Sequence, residues 1–103
     1  MKLRVIVMNG QRIVEGEENG VWKIQEVSKA GKLKPGIYDL YQSIPADRTK
    51  RHDGIIVHTS SDHVYQQTKD HNIRHSRSSF YKTLPEIGTI KSIAYDAQGK
   101  VMI

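Results

Sequence analysis

The stretch HTSSDHVYQQTKDHNIRHS, residues 58 to 76, holds His58, His63, His71 and His75, four of the five histidines in the chain. Imidazoles so dense could ligate a metal, move protons or line a surface that meets a partner. A zinc site needs three or four ligands converging at about 2.0–2.1 Å, usually announced by tightly spaced pairs on a scaffold that fixes them. The spacings here are five, eight and four residues, and the chain has no cysteine. If Ser60-Ser61 form a two-residue hairpin loop, His58 faces His63 across the strands, but no third ligand accompanies the pair. No native metal or other cofactor is expected, although such a pair could collect nickel or zinc during purification.

Acid–base catalysis asks for a histidine close to a reacting group and usually an orienting carboxylate. Asp62 and Asp70 stand beside turns, where their ordinary work is to cap backbone amides. Serines occur at 60, 61, 76, 78 and 79 without the Gly-x-Ser-x-Gly elbow that would expose one as a nucleophile. The sequence therefore predicts no catalytic residues and no enzyme. Strand alternation instead sorts the histidines by face. In the assumed register Ile55, Val57, Val64 and Gln66 share a face, and Ile73 and His75 share one on the next strand. If that side is the core, Gln66 and His75 must find hydrogen-bond partners, each other included. The opposite face then shows Ile56, His58, His63, Tyr65 and Gln67 with Arg74 alongside, a mixture suited to base stacking and phosphate contact, or to a protein partner. His71 falls in a turn.

The elements that must carry these residues are short. No stretch of helical length has apolar residues at three- and four-residue spacing, whereas β-branched and aromatic runs separated by turn residues recur throughout. LRVIVM and QRIV flank Asn9-Gly10, and VWKIQEVS follows Asn19-Gly20; both dipeptides supply the positive φ angles of a tight hairpin. KAGKLK is read as flexible, Pro35-Gly36 as a bend into an IYDLYQ strand, and SIPADRTKRHD as a long loop or a single helical turn. GIIVHT, HVYQQT and NIRHS follow as strands, RSSFYKTLPEIG as a turn of helix or irregular cover, and TIKSIAYD with KVMI as a final hairpin. The predicted fold is all-β or mainly β: one domain over 1–103, a small antiparallel barrel or strongly bent sheet of short strands with one or two helical turns at most.

With 103 residues the chain can bury one modest core. The absence of cysteine fits a reducing compartment, and the opening RVIVM run is too short for a signal sequence or a membrane span. The expectation is a soluble cytoplasmic protein with no membrane partner. Sixteen Lys and Arg against eleven Asp and Glu give +5 and a pI near 9.6, a balance that draws a protein towards polyanions. Arg48, Lys50, Arg51, Arg74 and Arg77, with His58, His63 and Tyr65, are the residues expected on a nucleic-acid or partner surface.

The run GIIVHTSSDHVYQQTKDHNIRHSRSSF resembles the core of the KfrB domain, found in proteins of conjugative plasmids and integrative elements. The likeness extends over residues 33 to 103, with Gly54, His63, Val64, Gln66, His75, Arg77 and Phe80 at matching positions; Gly54, Gln66, His75 and Phe80 are its structural motif. Members of that family usually carry glycines after the glutamine, where this chain reads Thr68-Lys69-Asp70-His71, and Asp70 can serve a hairpin turn there instead. The resemblance implies a context of plasmid maintenance and transfer, including the ends of relaxase-like chains, and no established reaction. A relaxase centre would show a His-x-His metal cluster and paired tyrosines, and neither is present.

Together these readings predict a non-catalytic accessory domain that binds DNA or a plasmid-transfer or partition protein. The alternative is a protein-interaction or homo-oligomerisation module without nucleic-acid affinity, using KLRVIVM or KVMI for strand addition.

Overall fold

A computed structural model describes residues 2–80 and 83–103. The described chain divides into two compact units, residues 1–42 and 43–103, which are taken in turn. Together they contain ten strands, with three-residue 3-10 turns at Leu40–Gln42 and Arg77–Ser79. The protein is mainly β, arranged as two open sheets; neither closes into a barrel.

The first unit holds β1 (Lys2–Met8), β2 (Gln11–Glu18), β3 (Val21–Lys29) and β4 (Gly36–Tyr38), paired antiparallel in the order β3-β2-β1-β4. Both hairpins turn as the Asn-Gly dipeptides require: φ is 52° and 75° at Asn9 and Gly10, and 54° and 81° at Asn19 and Gly20. Alternation along β1 and β2 buries Val5, Val7 and Val14, which pack in a core with Leu33, Tyr38 and Leu40. The segment read as flexible is anchored at Ala30 and Leu33, both buried, and the Ala30 amide donates to the Gly10 carbonyl. IYDLYQ is half strand and half 3-10 turn, so its two-residue alternation stops at Tyr38. Opposite Val14 and Glu15, β3 carries one extra residue, Gln25, and on the two sides of this bulge the strand exposes Val21 and Ile24, and Val27. Arg12 is buried on β2 and reaches Glu26 at 2.8 Å.

The second unit holds β5 (Ile44–Pro45), β6 (His52–Thr59), β7 (His63–Gln67), β8 (Asn72–Ser76), β9 (Ile90–Tyr95) and β10 (Val101–Met102), in the order β10-β9-β6-β7-β8-β5. The strands expected after Gly54 and the closing hairpin are present. One pairing departs from the antiparallel expectation, because β5 runs parallel to β8 within the segment read as a loop. The register of β6 and β7 also differs. Ile56 faces Gln66 and His58 faces Tyr65, so the register shifts at Val57, which bulges between them. Thr59 pairs with Val64, so His58 and His63 are not directly opposite one another as expected; His63 sits opposite Ser76. Ile56, Val64 and Ile93 form the core, covered by Phe80, Leu84, Tyr95 and Val101. The sheet bends strongly: Tyr95 on β9 touches His75 on β8 although β6 and β7 lie between them in the hydrogen-bonded order. Part of the cover read from RSSFYKTLPEIG, at positions 81 and 82, lies outside the described residues.

Candidate functional site

Gln66 and His75 meet in the core of the second unit, each fully buried. The Gln66 amide nitrogen lies within hydrogen-bond distance of the carbonyls of His52 (3.1 Å), Gly54 (3.2 Å) and Lys91 (2.9 Å), on the two strands β6 and β9. With its hydrogens committed there, its carbonyl oxygen must accept, and His75 Nε2–H donates to it at 2.8 Å. That fixes the tautomer: neutral His75 presents a bare Nδ1, to which the Tyr95 hydroxyl donates at 2.6 Å. Burial, with His52 nearby as a lesser cause, lowers the His75 pKa from 6.5 to about 4, so the ring is neutral at neutral pH. Burial also raises the Tyr95 pKa, keeping its proton on the hydroxyl. Gly54 completes the motif sterically: a Cβ there would overlap the backbone carbonyl of Gln67 and lie 2.7 Å from its carbon. Phe80 packs edge-on against His75 at 6.1 Å.

This network ends at a surface. The Tyr95 ring, held through its hydroxyl, lies 5.6 Å beneath the Arg48 guanidinium. Both line a cleft of about 180 Å³ with Pro45, Ala46, His63, Arg74 and Ser76. A second, wider groove of about 560 Å³ is lined by Ser61, Asp62, His63, Ser76, Arg77 and Ser78. His63 and Ser76 line both, so the two concavities adjoin at these residues. The cations are held in place: Arg74 donates to the Ser43 carbonyl, and Arg77 donates to the Ser60 carbonyl at 2.8 Å. Each guanidinium has five N–H donors, so these contacts leave others for a ligand. Planar forks of this kind suit phosphate and carboxylate.

Of the residues expected on an open face, Arg48, His63, Arg74 and Arg77 are therefore brought together. Lys50 and Arg51 are exposed but do not line the clefts; Lys50 lies 3.9 Å from Asp47, and Arg51 donates to Ser92 Oγ at 3.0 Å. His58 and Tyr65 correct the expectation of exposure, since both are buried, each at 8%. Their rings stack on one another at 6.0 Å, and Tyr65 in turn meets His63 at 5.8 Å with a tilt of 53°, so the buried pair braces that ring. His71 is exposed, in a turn that Thr68 closes: its amide donates to the His71 carbonyl and its hydroxyl accepts from the His71 amide. Thr68, not Asp70, thus stabilises this turn. It needs no glycine, because Asn9 and Asn19 are the described non-glycine residues with positive φ. Sequence reasoning missed His52, buried with its Nε2–H on the Asp47 carbonyl at 2.8 Å, and the cleft residues Tyr95 and Ser76. Tyr95 carried one signal, its two-residue spacing from buried Ile93 on the last long strand. Among the described residues no group of three or more His, Asp or Glu side chains could hold a metal ion, and no helix is long and apolar enough to cross a membrane.

The comparisons agree with the motif. Residues 51–103 match the KfrB Domain family, a span that contains Gly54, the Gln66–His75–Tyr95 network and the cleft arginines Arg74 and Arg77, with Arg48 just before it. Over 104 aligned residues the chain is 34% identical to Protein TraB of Escherichia coli, covering 97% of this chain and 70% of that protein. On both grounds the chain belongs to the KfrB-domain family.

Proposed function

We propose that the protein is a non-catalytic accessory factor of plasmid maintenance or conjugative transfer, and that it binds nucleic acid through the joined clefts of its second unit. Family membership supports the plasmid-related role. The observation that carries the binding role is the placement of Arg48, Arg74 and Arg77 on two adjoining concavities, each arginine anchored by its own neighbours. Guanidiniums fixed before binding lose less entropy on meeting phosphate than free side chains do. The buried Gln66–His75–Tyr95 network has a positioning role, since it sets the ring on which Arg48 lies.

Fluorescence anisotropy with labelled oligonucleotides tests this reading. Three phosphate contacts predict an affinity that falls roughly 20- to 40-fold between 50 and 200 mM salt. Arg48→Gln combined with Arg74→Gln weakens binding, whereas Lys50→Gln leaves it nearly unchanged. No detectable binding at 50 mM salt overturns the proposal.

The second reading, a protein-interaction module, draws on the edge strand β3, where Val21, Ile24 and Val27 are 53%, 62% and 53% exposed. The strands offered by sequence fare differently: KLRVIVM is β1, paired on both sides, while KVMI forms β10 at a sheet edge. A DNA-indifferent dimer in sedimentation would favour this second reading, and a DNA-binding monomer the first.

A further inference from the structure

The geometry points to a single extended nucleic-acid strand, in preference to a duplex, as the ligand of the joined clefts, with a base stacked on His63 between phosphates held by Arg48 with Arg74 on one side and Arg77 on the other. This deepens the nucleic-acid reading and rests on it.

Three features support a single strand. His63 lines both concavities, and its half-buried ring meets the Tyr65 ring at 5.8 Å with a tilt of 53°, Tyr65 itself being stacked on His58. A half-buried ring braced by a neighbouring ring is a stacking platform that accepts any base. Cations stand on both sides of that ring, and Ser61, Ser76 and Ser78 line the second groove, as an alternation of phosphate and base would require. The groove of about 560 Å³ is of the size that takes a nucleotide-scale group, and the cleft of about 180 Å³ suits a smaller one such as a phosphate. Reading a duplex through its major groove would call for a protruding helix or ribbon. The second unit's helical element among the described residues is the three-residue turn Arg77–Ser79, and Arg48, Arg74 and Arg77 line hollows instead. Asp62 is the carboxylate of the second groove, and its repulsion confines a phosphate to the side of Arg77 and Ser78.

The test compares an oligothymidylate with a blunt duplex of equal length, by anisotropy, using the full chain. The single strand is expected to bind at least tenfold more tightly. His63→Ala lowers single-strand affinity about tenfold, while His63→Phe, which keeps a ring, restores most of it. Arg77→Gln lowers the log-log salt slope by about 0.7, and Asp62→Asn tightens binding severalfold. Equal affinity for duplex and single strand overturns this inference and leaves the nucleic-acid reading standing. So does equal binding by the alanine and phenylalanine variants. Absence of binding to either oligonucleotide removes both.

Discussion

Gly54 and His75 show how single residues hold the second unit together. The glycine is required by a close approach of β6 to the Gln67 backbone, since an added Cβ would overlap a main-chain carbonyl that no side-chain movement can relieve. Gly54→Ala should cost about 3 kcal/mol or more in urea unfolding, well above a routine surface substitution. For His75 the sign follows from where the proton binds. The unfolded chain takes it up near pH 6.5 and the folded chain near 4, so acid favours unfolding. The associated stability is fully present above pH 6.5 and is lost as pH falls to about 4, roughly 3 kcal/mol in all. Denaturant titrations at pH 7, 5.5 and 4.5 should show this slope. His75→Gln should be less stable at pH 7 and show a flatter profile over the same range, and an unchanged slope would mean that other groups carry the acid sensitivity.

At the scale of elements, legibility tracked how local the controlling interaction is. Asn9-Gly10 and Asn19-Gly20 specify their hairpins within two residues, and the alternation of HVYQQ and NIRHS placed Gln66 and His75 on one face. What the sequence concealed depends on distant pairing or on an unmarked insertion. The bulge at Val57 carries no glycine or proline, yet it exchanges Ile55 and Val57 for Ile56 as the companion of Gln66. The pairing of Ile44 with Ile73 joins segments far apart in the chain, and the bend that sets Tyr95 against His75 crosses two intervening strands. For that reason Tyr95 went unnoticed although the arginines around it did not. Its place in the network gives a prediction for the element pair β8–β9. Tyr95→Phe keeps the ring beneath Arg48 but leaves His75 Nδ1 without its donor, so it should lower stability by about 1–3 kcal/mol with little loss of DNA affinity. Tyr95→Leu should lose both, as read by unfolding and anisotropy on the same samples.

For the whole molecule the question is whether the net charge of +5 or the placed arginines bind the polyanion. A diffuse field acts through total charge and is screened over about 8–10 Å, whereas contacts displace counterions one phosphate at a time. Two triple variants separate these. Replacing Lys29, Lys32 and Lys34 by Gln, all exposed in the first unit, leaves +2; replacing Arg48, Arg74 and Arg77 by Gln leaves the same +2. If contacts dominate, the arginine variant flattens the log-log salt slope by about 2 for a single strand, and the lysine variant keeps the wild-type slope with a small loss of affinity at low salt. Equal flattening in both would return the binding to overall charge and take the clefts out of it. Because the arginine side chains lie at the surface or half-buried, with backbone and ring contacts only, both variants should stay folded, and the comparison reads binding instead of stability.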